Sequence, residues 1–192
     1  MAKQQKVFTA EEKDYLSHFY FVLDTMIGAM TDVRETDSVS YNFIAQMIPH
    51  HMAAIEMSNS ILKYTECAPV SNLAENIVRE QTESIEKMRA ITEECKMQKN
   101  PAQDRLLYRR MKNQILLEMF GAMGISEVTE NINADYLREM IPHHIGAVRM
   151  AENALRFPVC PQLVPLLREI RTSQKRGICE MQRLLIKFSK LS

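Results

Sequence analysis

Tryptophan is absent from the 192 residues, and glycine is scarce, at five. So little glycine suits a chain of helices better than an all-β fold with many tight turns. There is no excess charge of either sign, because 24 Lys and Arg balance 24 Asp and Glu. A balanced chain offers no global attraction to nucleic acid or to an anionic membrane, and neither is an expected partner. Long hydrophobic runs are missing too. The most apolar early stretch, residues 19–30, is interrupted by Asp24 and is too short to span a bilayer. The first fourteen residues carry Lys3 and Lys6 and then Glu11 and Glu12 in place of an apolar signal core, so the expected compartment is the cytoplasm. Cys67, Cys95, Cys160 and Cys179 form no C-x-x-C pair, which speaks against a zinc knuckle and for reduced, buried thiols. Methionine is plentiful, at fourteen residues, in a composition otherwise ordinary for a globular protein.

The chain repeats itself. Met-Ile-Pro-His-His occupies residues 47–51 and again 140–144, an offset of 93. The same offset pairs Tyr15 with Tyr108, Met26 with Met119, Gly28 with Gly121, Met57 with Met150, Cys67 with Cys160 and Gln81 with Gln174. The repeat units run over about residues 14–99 and 107–192. We divide the chain into residues 1–100 and 101–192, expected to associate as one domain.

Each unit reads as three helices and nothing reads as a strand. Thr9 and Glu12 form a capping box before the first helix, and Asn100 with Pro101 opens its second copy. The first helix carries the apolar stripe Tyr15, Phe19, Val22, Met26, Ala29 and Met30. Gly124 is a candidate left-handed terminator of the second copy. The middle helices are predicted to start at Ser40 and Asn133. The third are entered at Ser71 and Pro165, with the stripes Leu73, Ile77, Gln81, Ile85, Met88 and Leu166, Ile170, Gln174, Ile178, Met181. The predicted class is all-α: an antiparallel bundle whose four-helix core comes from the middle and third helices of both repeats.

At about 100° per residue, His50 and His51 fall within about 60° of Met47, flanking the apolar face of the middle helix. His143 and His144 repeat the arrangement beside Met140. Pro49 and Pro142 lie inside these helices and release the carbonyls of Ala45 and Arg138 near the histidines. Neutral imidazole and thioether together suit a soft ion such as Cu(I) or Ag(I) better than Mg(II) or Ca(II). Met47 lies three and four residues from His50 and His51, close enough to converge with either. Met57 lies about 10 Å further along the axis and suits a neighbouring position.

These residues can also be read without a metal. An imidazole N–H, or the amide of Gln81 or Gln174, could satisfy a stranded carbonyl, giving a buried His–Gln network that only sets helix register. If a metal binds, Gln81 and Gln174 are candidates to orient a histidine. His18, matched by Met111 in the second repeat, reads as an ordinary histidine. Catalysis is not expected. A di-iron centre needs Glu-x-x-His on two helices, whereas Glu139 is four residues from His143 and Gln46 stands in its place in the first repeat. Cys67 and Cys160 lie about 24 Å along the helix from His51 and His144, too far to form a nucleophile–base pair on one helix.

The Met-Ile-Pro-His-His motif, followed by Met57 and by Gln81, Ile85 and Met88, with the same set at Met150, Gln174, Ile178 and Met181, resembles the domain-of-unknown-function 305 family. The resemblance covers residues 47–88 and 140–181 and implies a ferritin-like helical bundle. Some members bind copper or silver through Met and His. Carried onto this chain, that implies ligands among Met47, His50, His51 and Met57, and among Met140, His143, His144 and Met150. The expected function is soft-metal binding and sequestration, with a metal ion as partner and Cu(I) as the candidate cofactor. A structural or protein-interaction bundle is the alternative, and self-association stays open.

Overall fold

The computed structural model describes residues 8–126 and 128–189; Lys3 and Lys6 lie outside the described residues. Six helices follow in order: α1 Ala10–Thr31, α2 Val39–Ile61, α3 Ala68–Met97, α4 Ala102–Gly124, α5 Ile132–Ala154 and α6 Leu163–Ser189. No strand occurs among the described residues.

The first helix starts as its sequence dictates. Glu12 N–H donates to Thr9 Oγ1 at 3.1 Å, and Thr9 N–H donates to the Glu12 carboxylate at 2.6 Å, completing the capping box. The other starts differ from expectation. Ser38 and Asn131, not Ser40 and Asn133, cap α2 and α5, accepting from Tyr41 N–H at 3.2 Å and Ala134 N–H at 3.1 Å. These caps still obey the 93-residue offset. Ser40 and Asn133 make tertiary bonds instead: Cys160 N–H donates to Ser40 Oγ at 2.8 Å and Thr65 Oγ1 donates to Asn133 Oδ1 at 2.5 Å. The third helices begin earlier than predicted, at Ala68 and Leu163. Gly124 ends α4 without a left-handed conformation, as no described glycine has a positive φ. Pro101 precedes α4 rather than opening it, and Asn100 joins the two halves. Its Oδ1 accepts from Val39 N–H at 2.9 Å and its Nδ2 donates to the Pro158 carbonyl at 2.7 Å.

Helices α2, α3, α6 and α5 form a closed ring of contacts, with α1 laid on α2 and α4 on α5. The four-helix core therefore takes the middle and third helices of both repeats, as the stripes predict. Tyr15, Phe19, Val22, Met26 and Met30 are buried, whereas Ala29 is exposed, at a surface pocket between α1 and α2 that Pro49 and Met52 also line. Cys95 and Cys160 are buried, but Cys67 is half-buried and Cys179 exposed, against the expectation of uniformly buried thiols. No described helix is long and apolar enough to cross a membrane.

Candidate metal centre

α2 and α5 meet at the histidines. Both helices run unbroken through Pro49 and Pro142, which lie in their middle thirds. His50 and His143 face each other across the seam with ring centroids 3.7 Å apart and planes inclined by 32°. Each ring reaches past the other to the backbone: His50 Nε2 lies 3.2 Å from the His143 carbonyl, and His143 Nε2 lies 3.1 Å from the His50 carbonyl. The imidazoles thus bind each other's residues, not the Ala45 and Arg138 carbonyls that the prolines release.

A carbonyl only accepts, so Nε2 of both rings must carry the proton. Burial holds the pKa of His50 and His143 well below the usual 6.5, and neighbouring histidines push the same way against the carbonyl bonds. Neutral rings protonated at Nε2 leave Nδ1 as a bare lone pair. Neither Nδ1 has a hydrogen-bond partner, and both are shielded from solvent. A buried acceptor left without a partner is costly, and here the cost recurs in both repeats. His51 and His144 flank this pair, with centroids 5.9 Å from His50 and 5.8 Å from His143. Burial lowers their pKa to about 3 and about 4. His51 Nδ1 is also unpartnered, whereas at His144 a bond to the Met140 carbonyl partly opposes the effect of burial.

Met47, Met140, Met57 and Met150 are all buried in the same core cluster as the helices that carry the histidines. Gln81 and Gln174 are buried as well, but they do not form the His–Gln network. Both polar atoms of Gln81 and Oε1 of Gln174 lack partners, and the bonds of His50 and His143 go to backbone. Among the described residues, no three His, Cys, Asp or Glu side chains are placed to hold one ion. Bare imidazole nitrogen is a donor that the geometry leaves open to a metal ion here. The bare Nδ1 atoms fit such a ligand, since a ligating histidine characteristically donates its other N–H to a carbonyl or carboxylate.

Two buried acids of α5, Asp135 and Glu139, have no role assigned from the sequence, and Glu139 is the deeper of them. Tyr15 Oη, on α1, donates to Glu139 Oε2 at 2.7 Å on α5. Burial pushes Glu139 up to about 8, the Tyr15 bond opposes this, and Asp135 adds to it. Its repeat equivalent, Gln46, instead donates from Nε2 to the Met30 carbonyl at 3.1 Å, satisfying the last turn of α1. The Glu139/Gln46 exchange was visible in the sequence, but Tyr15 gives no local sign of reaching α5.

Solved structures of the same architecture name metals. The chain is similar to CopM in an Ag-bound form obtained by soaking, at 27% identity over 79% of this chain and 98% of that one, with a TM-score of 0.59. CopM in a Cu(II)-bound form matches at 27% identity over 78% and 97%, also with a TM-score of 0.59. A DUF305 fragment from Deinococcus radiodurans, 24% identical over 78% and 96% with a TM-score of 0.57, supports the fold alone. No curated protein matches the chain. The model of a domain of unknown function, DUF305, matches residues 40–185, a stretch that holds both His-His motifs, and the chain therefore belongs to the DUF305 family.

Proposed function

We propose that this protein binds and buffers a soft monovalent transition-metal ion, Cu(I) or Ag(I), through the histidines of α2 and α5 and the buried methionines of the same two helices. The observation that carries the reading is the pair of reciprocal bonds of His50 and His143. They fix both Nε2–H tautomers and leave two lone pairs aimed at nothing in the protein. Few nitrogen donors and many thioethers favour a soft ion of low coordination number over an ion that takes six oxygens. The relation to CopM, solved in Ag-bound and Cu(II)-bound forms, supports metal binding, and its silver form is the one that matches the soft class.

His50, His143, His51 and His144 would supply nitrogen, Met47, Met140, Met57 and Met150 sulfur, and Gln81 and Gln174 polar contacts around them. The bound ion would supply charge and soft-acid coordination, and no reaction is assigned to it. We read the role as sequestration, without turnover. Asn42 and Gln46 occupy the positions equivalent to Asp135 and Glu139, so α2 and α5 carry no matched carboxylates for redox or hydrolytic chemistry.

The test is an anaerobic Cu(I) competition titration against a coloured chelator, with all four cysteines replaced. The decisive variant is His50→Gln/His143→Gln, because glutamine keeps an N–H for the carbonyl but offers no imidazole lone pair. Tight binding by the cysteine-free protein that weakens at least about tenfold in the glutamine pair, with helicity retained, sustains the reading. A folded protein that never competes with the chelator overturns it.

A further inference from the structure

The face of the bundle formed by α3 and α6 is held together at two points. Arg176 pairs with Glu80 and Lys87 with Glu169, each at 2.6 Å. The ties are two helical turns apart, and the side chains between them include the short Ser84, Thr172 and Ser173. There the helices leave a cleft of about 560 Å³. Its lining includes His51, Gln81, Ser84 and Gln174, all more than nine-tenths buried. Each of the four keeps a polar atom without a partner: His51 Nδ1, both amide atoms of Gln81, Ser84 Oγ and Gln174 Oε1. Orphaned polar atoms in such number along one cleft mark a place that something polar visits.

The repeat supplies a contrast. His144 is the equivalent of His51, and it lines a second pocket of only about 50 Å³, where Gly177 stands in the place of Ser84. The two cavities share Glu80, Gln81, Ser173, Gln174 and Arg176, so both open on the α3–α6 face, and Ser84 lines only the wide one. His50 and His143 line neither. The four rings form one cluster: centroids lie 5.9 Å apart from His51 to His50, 3.7 Å from His50 to His143 and 5.8 Å from His143 to His144, and His51 also interacts electrostatically with His143 and His144.

We propose that the α3–α6 cleft is the loading port of the histidine cluster, where a soft monovalent cation sheds its water against Gln81, Ser84 and Gln174 and meets His51 first. The inference rests on the metal-binding reading above and adds a direction to it. The ion passes from His51 toward the His50–His143 pair, and the wide cleft is the entry because the pocket at His144, on the other side of the Arg176–Glu80 tie, is about a tenth of its volume.

Two readouts test it, and one needs no metal. Carbethoxylation of the apoprotein by diethyl pyrocarbonate, mapped by peptide mass spectrometry, reports which imidazoles a small molecule reaches. His51, which lines the cleft, should label more slowly than the half-buried His18 but at least about tenfold faster than His50 and His143, which line neither cavity and require a larger local opening. Thr172→Trp places a large side chain at the exposed mouth. It should slow both His51 labelling and stopped-flow Ag(I) loading about tenfold, while the equilibrium affinity and the labelling of His18 stay unchanged. Arg176→Ala, which breaks the tie, should bring His144 labelling toward that of His51.

The proposal is overturned if His51 labels as slowly as His50, or if Thr172→Trp loads at the wild-type rate. Should the wild type bind no Ag(I) at equilibrium, the metal-binding reading fails and the port with it. A protein that binds Ag(I) at a rate indifferent to Thr172→Trp retains the metal reading and loses only the port.

Discussion

Lowering the pH from 7 to 5 attacks this bundle at its buried imidazoles. An unfolded histidine takes up its proton near pH 6.5. In the folded chain burial holds His51 near 3 and His144 near 4. Their folded values lie below the unfolded one, so their contribution to stability is present above about pH 6.5 and is lost as the pH falls toward 4 and 3. At pH 5 each costs about 2 kcal/mol, and the two together about 4 kcal/mol. Glu139 works the other way. Its folded value of about 8 exceeds that of a free carboxyl, so it regains about 2.5 kcal/mol over the same fall in pH. His50 and His143, also depressed, add to the loss. The net effect is destabilisation by acid, visible against a total of about 5–15 kcal/mol for a domain. The assay is urea unfolding followed by far-ultraviolet circular dichroism at pH 7, 6 and 5, in wild type and in His51→Gln/His144→Gln. The variant should lose about 4 kcal/mol less than wild type between pH 7 and 5. Parallel curves would refute the assignment of these rings as neutral and buried.

Four further outcomes follow from particular contacts. Glu139→Gln puts into α5 the residue that α2 carries at Gln46 and removes an acid that must hold its proton; it should match wild type near pH 4.5 and exceed it by about 3–5 kcal/mol at pH 8, read as a melting temperature difference that grows with pH. Gly146→Ala places a Cβ 2.0 Å from Met119 Sδ at the α4–α5 contact and should cost about 1–3 kcal/mol. Gly121→Ala, which meets open space on the exposed side of α4, should instead gain about 0.5–1 kcal/mol by helix propensity, with thermal denaturation comparing the two. Asn100→Ala removes both bonds that tie the inter-repeat junction to Val39 and Pro158, with an expected loss of about 1–3 kcal/mol in chemical denaturation.

The helices were legible because their signals are periodic and local. The stripe from Leu73 to Met88 and the 93-residue offset identify which helices share the core without any knowledge of contacts. Cap positions were less legible. Ser40 and Asn133 look like caps as much as Ser38 and Asn131 do, and only their tertiary partners, Cys160 and Thr65, remove them from that role. The candidate site divides in the same way. The clustering of His50, His51, His143 and His144 follows from helix geometry, since all four flank the face that meets the other repeat. Which nitrogen is bonded and which is bare depends on how α2 and α5 sit against each other, and a carbonyl leaves no trace in residue type. For the same reason the sequence suggested a His–Gln network. Gln81 occupies an apolar stripe, but the histidines it was expected to serve find backbone carbonyls first, and the amide opens instead on the α3–α6 cleft.

The central claim is that Nδ1 of His50 and His143 is a bare lone pair able to hold a soft ion. Nitrogen-15 NMR of the imidazoles, recorded on the apoprotein and again with one equivalent of Ag(I), tests it directly. The account predicts that both rings are neutral and protonated at Nε2 before metal is added, and that Ag(I) shifts the Nδ1 resonances while the Nε2–H signals persist. Rings protonated at Nδ1, or Nδ1 resonances unmoved by Ag(I) in a folded protein, would contradict it.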